Sequence, residues 1–287
     1  MEIKKIGVVG SGAMGTGIAH VSAQSGFEVV VYDLAEAAIG RSRDSIVSLF
    51  DKSIQKGKAT EVLKSETLER MTFTTDINDM KDVDLVIEAV VENLDVKMKV
   101  FSQLDAIVKP ETILASNTST MSITKLATAV KRPEAFAGVH FFNPAQVMRL
   151  VELIRGYYTS DETIKSLQEY VRAIGKESIE VKKDVPGFVV NRLMLIQFKE
   201  AQLVYEEGIA SLEDIDKAMT LGLNHPMGPF TLMDFTGLDI SYDSLVYLHN
   251  EFGQDKWAPP ASLKRMINAG RLGKKTGGKG WFDTSKK

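Results

Sequence analysis

A chain of 287 residues is long enough for two domains with cores of their own, and 44% apolar with 25% charged residues is the balance of an ordinary globular protein. A net charge of −3 argues against nucleic acid or an anionic membrane as the main partner, and the absence of cysteine excludes a disulfide framework, thiol catalysis and thiolate zinc sites. The four histidines form no H-E-x-x-H pair, so no metal site is expected, and no apolar run reaches membrane-spanning length. Strand-like sequence from Ile3 leaves no room for a signal or transit peptide, which predicts a cytoplasmic protein.

The first strand, up to Val9, runs into Gly10-Ser-Gly12-Ala13-Met14-Gly15. A helical pattern follows, ended by Gly26, and a second strand from Phe27 to Tyr32 stops at Asp33. Strand, glycine loop, helix, strand and terminal acid in that order make the dinucleotide fingerprint. Gly10 suits the tight turn, Gly12 the approach of a pyrophosphate and Gly15 close helix–strand packing. The helix that begins at this loop offers N–H groups and a positive dipole end to the phosphates. Asp33 would accept the adenine-ribose hydroxyls and repel a 2′-phosphate, since like unit charges at about 4 Å cost about 4 kcal/mol at an effective dielectric near 20. No arginine follows directly, so NAD is expected over NADP. The plainer role for Asp33 is to cap the next helix.

An insertion of two helices, 35–56 and 60–70, separates Asp33 from the next strand, Met71 to Thr75. Lys52 and Lys56 lie one turn apart with Ser53 beside them, which suits either a phosphate-rich ligand tail or a solvated face. The run from Val83 to Val90 has the near-continuous apolar centre of a parallel strand covered on both sides. Glu88 and Glu92 follow at its C-terminal end, and Lys97 begins a helix; Glu92 and Lys97 are expected to line the nicotinamide side of the pocket or to sit on the surface. A strand at Thr112–Ala115 ends in Ser116-Asn117-Thr-Ser119-Thr120, five polar residues where a helix cap needs one.

Ala135 to Val139 then reads as a strand closed by His140, with a turn at Asn143-Pro144 and a second apolar run that returns a lone carboxylate at Glu152. If the two runs lie side by side, Glu152 can hold one imidazole nitrogen and leave the other to take a proton from an alcohol. The default for such a histidine is a satisfied core residue. A helix at 161–175 and a last strand, Glu177 to Val181, follow. From Asp184 onward the pattern is helical: a long helix opening at Pro186, a capping box at Ser211–Asp214 and a helix around 230–249. The expected fold is α/β, a Rossmann-type mostly parallel sheet over 1–183 followed by an all-α C-terminal domain over 184–287. The apolar helices of the second domain suggest dimerisation through it.

These segments closely resemble the short-chain L-3-hydroxyacyl-CoA dehydrogenases, especially the bacterial 3-hydroxybutyryl-CoA dehydrogenases. The resemblance rests on Gly10–Gly15, Ser116-Asn-Thr-Ser119, His140-Phe-Phe-Asn-Pro through Glu152, Pro186-Gly-Phe-Val-Val-Asn-Arg192, His225-Pro-Met-Gly-Pro229 and Gly237-Leu-Asp239. It implies His140 as general base held by Glu152, Ser119 and Asn191 as hydrogen-bond partners of the substrate, and Lys52, Ser53 and Lys56 as coenzyme A contacts. It also implies NAD as cofactor, with Asn117 and Asn143 joining Glu92 and Lys97 on the cofactor side, and a homodimer. Gln146, Arg149 and Thr220 depart from the residues common in that family, and none of them is a proposed catalytic group. The implied reaction is oxidation of a (3S)-3-hydroxyacyl-CoA to the 3-oxoacyl-CoA. A dehydrogenase of a free hydroxy acid or sugar acid, and a non-catalytic NAD-binding protein, are the alternatives.

Overall fold

The computed structural model describes residues 2–284, and the chain divides into two compact units at Val185/Pro186. The first unit is a single eight-stranded sheet in the order β3-β2-β1-β4-β5-β6-β7-β8. Its strands are β1 (Lys5–Val9), β2 (Glu28–Tyr32), β3 (Met71–Thr74), β4 (Leu85–Glu88), β5 (Ile113–Ser116), β6 (Phe136–Phe141), β7 (Leu150–Ile154) and β8 (Glu177–Val181). Every neighbouring pair is parallel except β6 and β7. Val8, Val29, Val31, Leu85, Ile87, Ala115 and Val139 are all buried, the continuous apolar pattern of strands covered on both faces. This is the Rossmann-type arrangement, followed by a helical unit, that the strand–helix alternation predicts.

Between the strands run α1 (Ala13–Gln24), the insertion helices α2 (Glu36–Gln55) and α3 (Glu61–Glu69), then α4 (Leu94–Ile107), α5 (Ile123–Ala127) and α6 (Asp161–Ala173). Thr60 caps α3 by accepting from Leu63 N–H, and a Lys64–Asp51 ion pair at 2.5 Å joins α3 to α2. Ile46 and Phe50 are the apolar side of α2 and join the sheet's core cluster, so the insertion is packed on the unit and does not stand away from it.

The second unit holds α7 (Val190–Glu206), α8 (Leu212–Lys217), α9 (Pro229–Thr236), α10 (Leu238–Phe252) and α11 (Ala261–Asn268) around Phe198, Phe230, Leu245 and Trp257. Two details differ from the sequence reading. The long helix starts at Val190, because Gly187 and Phe188 both have positive φ (76° and 46°) and turn the chain first. The helix expected around 230–249 is two helices, broken at Gly237, whose φ of 107° no helical residue adopts.

One buried titratable group has a consequence for stability. His20 on α1 is 6% exposed, its ring centroid 4.8 Å from that of Phe50 on α2, and burial pushes its imidazole down to about 4. In the unfolded chain it titrates near 6.5. Above pH 6.5 both states hold the neutral ring and nothing is lost. As pH falls from 6.5 towards 4 the unfolded state binds a proton that the folded state refuses, so stability falls, by an amount on the order of 3 kcal/mol at the lower end. Denaturant midpoints measured across that window should show this slope in the wild-type chain and a shallower one in His20→Leu. An equal slope in both would assign the loss to other groups.

Candidate active site

The residues of the glycine loop and the end of β2 face a single cavity of about 930 Å³, which is also lined by the Asn143–Pro144 turn. Gly10, Gly12, Ala13, Met14 and Asp33 are on its wall. Gly15 is not on the wall but beneath it: a Cβ there would stand 1.8 Å from the Gly10 carbonyl oxygen, so any side chain would force the helix off the loop. At Gly12 a Cβ would meet nothing within 4 Å, so the space beside it is open to the cavity. Gly12 is also the N-cap residue of α1, and no side chain caps that helix. An uncapped helix start beside open space is what a dinucleotide's pyrophosphate needs, so the residues fit that group.

Asp33 is held by hydrogen bonds, not by a cation. Its Oδ2 accepts from both N and Oγ of Ser11 at 2.8 Å, and its Oδ1 from Ala35 N at 3.1 Å. Burial alone would raise its carboxyl, but the donors at Ser11, Ala35 and Leu34 outweigh it and hold the group below the usual carboxylate range. Asp33 is therefore an anion at the cavity wall at neutral pH.

The other pair stands at the antiparallel turn. β6 and β7 pair with His140 directly opposite Glu152, which puts both side chains on one face of the sheet. His140 Nδ1 and Glu152 Oε2 are 2.8 Å apart, with Glu152 wholly buried and His140 6% exposed. A carboxylate facing Nδ1 places the ring hydrogen there and the lone pair on Nε2. Asn117 fixes the end of the same strand, its Oδ1 accepting from Phe141 N at 2.8 Å. Asn117 is thus tied to the backbone under the histidine and does not line the cavity.

A third carboxylate organises the loop after β5. Glu88, fully buried at the end of β4, accepts from Val90 N (2.7 Å), Lys97 Nζ (2.6 Å) and Ser116 Oγ (2.7 Å). Lys97 also reaches Glu92 Oε2 at 3.2 Å. Glu92 in turn accepts from the hydroxyls of Thr118 and Thr120 and from Ser119 N at 3.2 Å. Ser119 is therefore set in place through its own backbone, on a network that starts at the buried end of β4. Lys97 is 1% exposed and belongs to the support of the site; neither it nor Glu92 is on the cavity wall.

Lys52 and Lys56 are exposed at the last turn of α2, with Ser53 half-buried beside them, and Asn191 lies in the first turn of α7 in the second unit. Sequence reading missed the roles of Ser11 and Glu88. The signal for Glu88 was available: a carboxylate ending an all-apolar strand needs a cation, and Lys97 follows one turn into the next helix.

Models of the NAD-binding domain and of the C-terminal domain of 3-hydroxyacyl-CoA dehydrogenase match residues 5–185 and 187–283. A probable 3-hydroxybutyryl-CoA dehydrogenase of Deinococcus radiodurans is 49% identical over 273 residues, covering 95% of this chain and 98% of that protein. The crystal structure of (S)-3-hydroxybutyryl-CoA dehydrogenase from Ralstonia eutropha matches with a TM-score of 0.95 at 45% identity, covering 99% of this chain and 100% of that one. A diketoreductase structure matches with a TM-score of 0.85 at 31% identity, covering 98% of this chain and 99% of that one.

The buried Glu88–Lys97 pair gives a stability prediction. Removing one partner leaves an uncompensated buried charge, so Lys97→Met should cost roughly 3–5 kcal/mol of unfolding free energy. The double variant Glu88→Gln with Lys97→Met has no buried charge and should recover most of that loss. If chemical denaturation shows the double variant no more stable than Lys97→Met, the pair is not the reason for the loss.

Proposed function

The chain belongs to the 3-hydroxyacyl-CoA dehydrogenase family, an NAD-dependent oxidoreductase, and on that premise we propose that it interconverts short-chain (3S)-3-hydroxyacyl-CoA and 3-oxoacyl-CoA, 3-hydroxybutyryl-CoA being the type substrate. The observation that carries the reading is the buried His140–Glu152 contact of 2.8 Å at the rim of the sheet that also bears the dinucleotide cavity.

In the oxidative direction His140 takes the proton of the 3-hydroxyl at Nε2. Glu152 keeps the Nδ1–H tautomer in place and, once the ring is charged, pairs with the imidazolium, so the buried charge is never isolated. NAD, which Gly10, Gly12 and Asp33 at the cavity wall would hold, would supply the acceptor for the hydride that leaves C3. In the reductive direction the same imidazolium returns its proton to the forming alcohol. Ser119, fixed through Glu92, hydrogen-bonds a substrate oxygen, and Asn143 closes the cofactor side of the turn. Lys52, Lys56 and Ser53 receive the phosphates of coenzyme A. Exposed apolar side chains of the second unit, among them Leu193 and Ile240, support a homodimer formed through that unit. No helix among the described residues is long and apolar enough to cross a membrane, and we place the enzyme in the cytoplasm.

The likeness to a diketoreductase supports a second reading, in which a dicarbonyl or hydroxy acid without coenzyme A is the substrate. Oxidation of NADH with acetoacetyl-CoA and with free acetoacetate, followed by absorbance, separates the two. Turnover with the thioester alone is expected; equal turnover on the free acid would return Lys52 and Lys56 to solvent. With the thioester as substrate, His140→Ala should lower kcat by about 10²- to 10⁴-fold while NADH binding is kept. Wild-type turnover in that variant would remove His140 from the role of base.

A further inference from the structure

Ser11 is the one residue between the first two glycines of the loop, and the turn itself does not call for a serine. Its side chain is 5% exposed, and its Oγ and N both donate to the same oxygen of Asp33, Oδ2, at 2.8 Å. The serine is itself immobilised. Its carbonyl oxygen lies 3.0 Å from Thr16 Oγ1, which is 2.8 Å from the buried Ser42 Oγ on α2. Two donors on Oδ2 stop the Asp33 carboxylate from turning about its own axis, and Ala35 N takes only part of the capacity of Oδ1.

We infer that Ser11 is a positioning residue that sets the choice between NAD and NADP by pinning Asp33 across the adenine-ribose end of the cavity. A pinned carboxylate presents Oδ1 to the ribose hydroxyls at no cost in side-chain order. It also cannot swing aside for a 2′-phosphate, so the full like-charge repulsion is felt. With the hydroxyl removed, the carboxylate keeps one N–H on each oxygen, from Ser11 and from Ala35, and is held less firmly. The ribose then loses an ordered acceptor while the phosphate meets a yielding one. Arg41 lines the same cavity, so a displaced carboxylate leaves a cation on the wall that a phosphate can use.

The test is equilibrium binding of NADH and NADPH to the full chain without acyl substrate, by calorimetry or by fluorescence of the reduced ring. It does not depend on which alcohol the enzyme oxidises. Ser11→Ala should raise the Kd for NADH by about three- to tenfold, the cost of ordering one side chain on binding. It should raise that for NADPH by less, so that the preference for NADH narrows. In an Asp33→Ala background the same change should leave the ratio of the two Kd values where Asp33→Ala put it, because nothing remains to be pinned. A merely structural role would weaken both dinucleotides alike in either background. An unchanged ratio in Ser11→Ala, or an equal further change in the Asp33→Ala background, overturns the inference. Ser11→Gly, which a glycine loop accommodates, is read in the same way should Ser11→Ala not fold.

Discussion

The antiparallel pairing of β6 with β7 is the constraint on which the His140–Glu152 contact depends. Elsewhere in the sheet each strand is followed by a crossover that returns it parallel, so side chains at neighbouring strand ends come from distant sequence. Between β6 and β7 the chain turns directly, and eight residues bring Leu150 back alongside the strand it has just left. The register then sets His140 opposite Glu152, and side-chain alternation puts both on one face. A slip of one residue would turn Glu152 to the other face of the sheet and leave the imidazole without its carboxylate. β8 flanks the far side of β7, with Glu152 paired to Ile179, so β7 is an interior strand, and the carboxylate is wholly buried.

Three carboxylates in this unit are held in three ways, and each way suits a different task. Glu88 is neutralised by Lys97 in the dry interior and cannot take part in chemistry; it makes a rigid footing for the loop that carries Ser119. Glu152 faces an imidazole, a partner whose charge can change, so it can answer a proton arriving on the far nitrogen. Asp33 is held by N–H and O–H donors alone and keeps its full negative charge at the cavity wall. A fixed anion is useless as a base here and well suited to discriminating a ribose from a ribose phosphate.

What could be read from the sequence follows from how local each signal is. The glycine loop, the strand ends around it and Asp33 lie within one strand–helix–strand unit, so spacing alone identifies them. His140 and Glu152 are twelve residues apart across one turn, and a strand–turn–strand pattern was enough to suggest their meeting. Lys97 was harder. Periodicity shows that it begins a helix but not that the helix start lies over the end of β4, so a residue buried to 1% read equally well as a surface or pocket lysine. The tie between Glu92 and Thr118 spans 26 residues and two elements, and that between Asn117 and Phe141 spans 24; no local pattern encodes either. The break at Gly237 was hidden for the opposite reason, because apolar residues continue in helical phase on both sides of it.

The helix α2 joins the wall of the dinucleotide cavity to an exposed basic turn. Ala38, Arg41, Ser42, Ser45 and Leu49 line the dinucleotide cavity, and their spacing of three and four residues is one face of a helix. Continued by the same steps, that face reaches Lys52 and Lys56. The wall of the cofactor cavity and the basic turn are therefore a single stripe, on a rod of 20 residues that is about 30 Å long. Ile46 and Phe50 bury the adjoining face in the sheet's core, so the rod is not free to roll. A helix so held keeps its last turn in fixed register with the glycine loop. The distance from the dinucleotide to the basic residues is then set by the helix itself, where two flexible loops would have had to be ordered again each time a ligand bound.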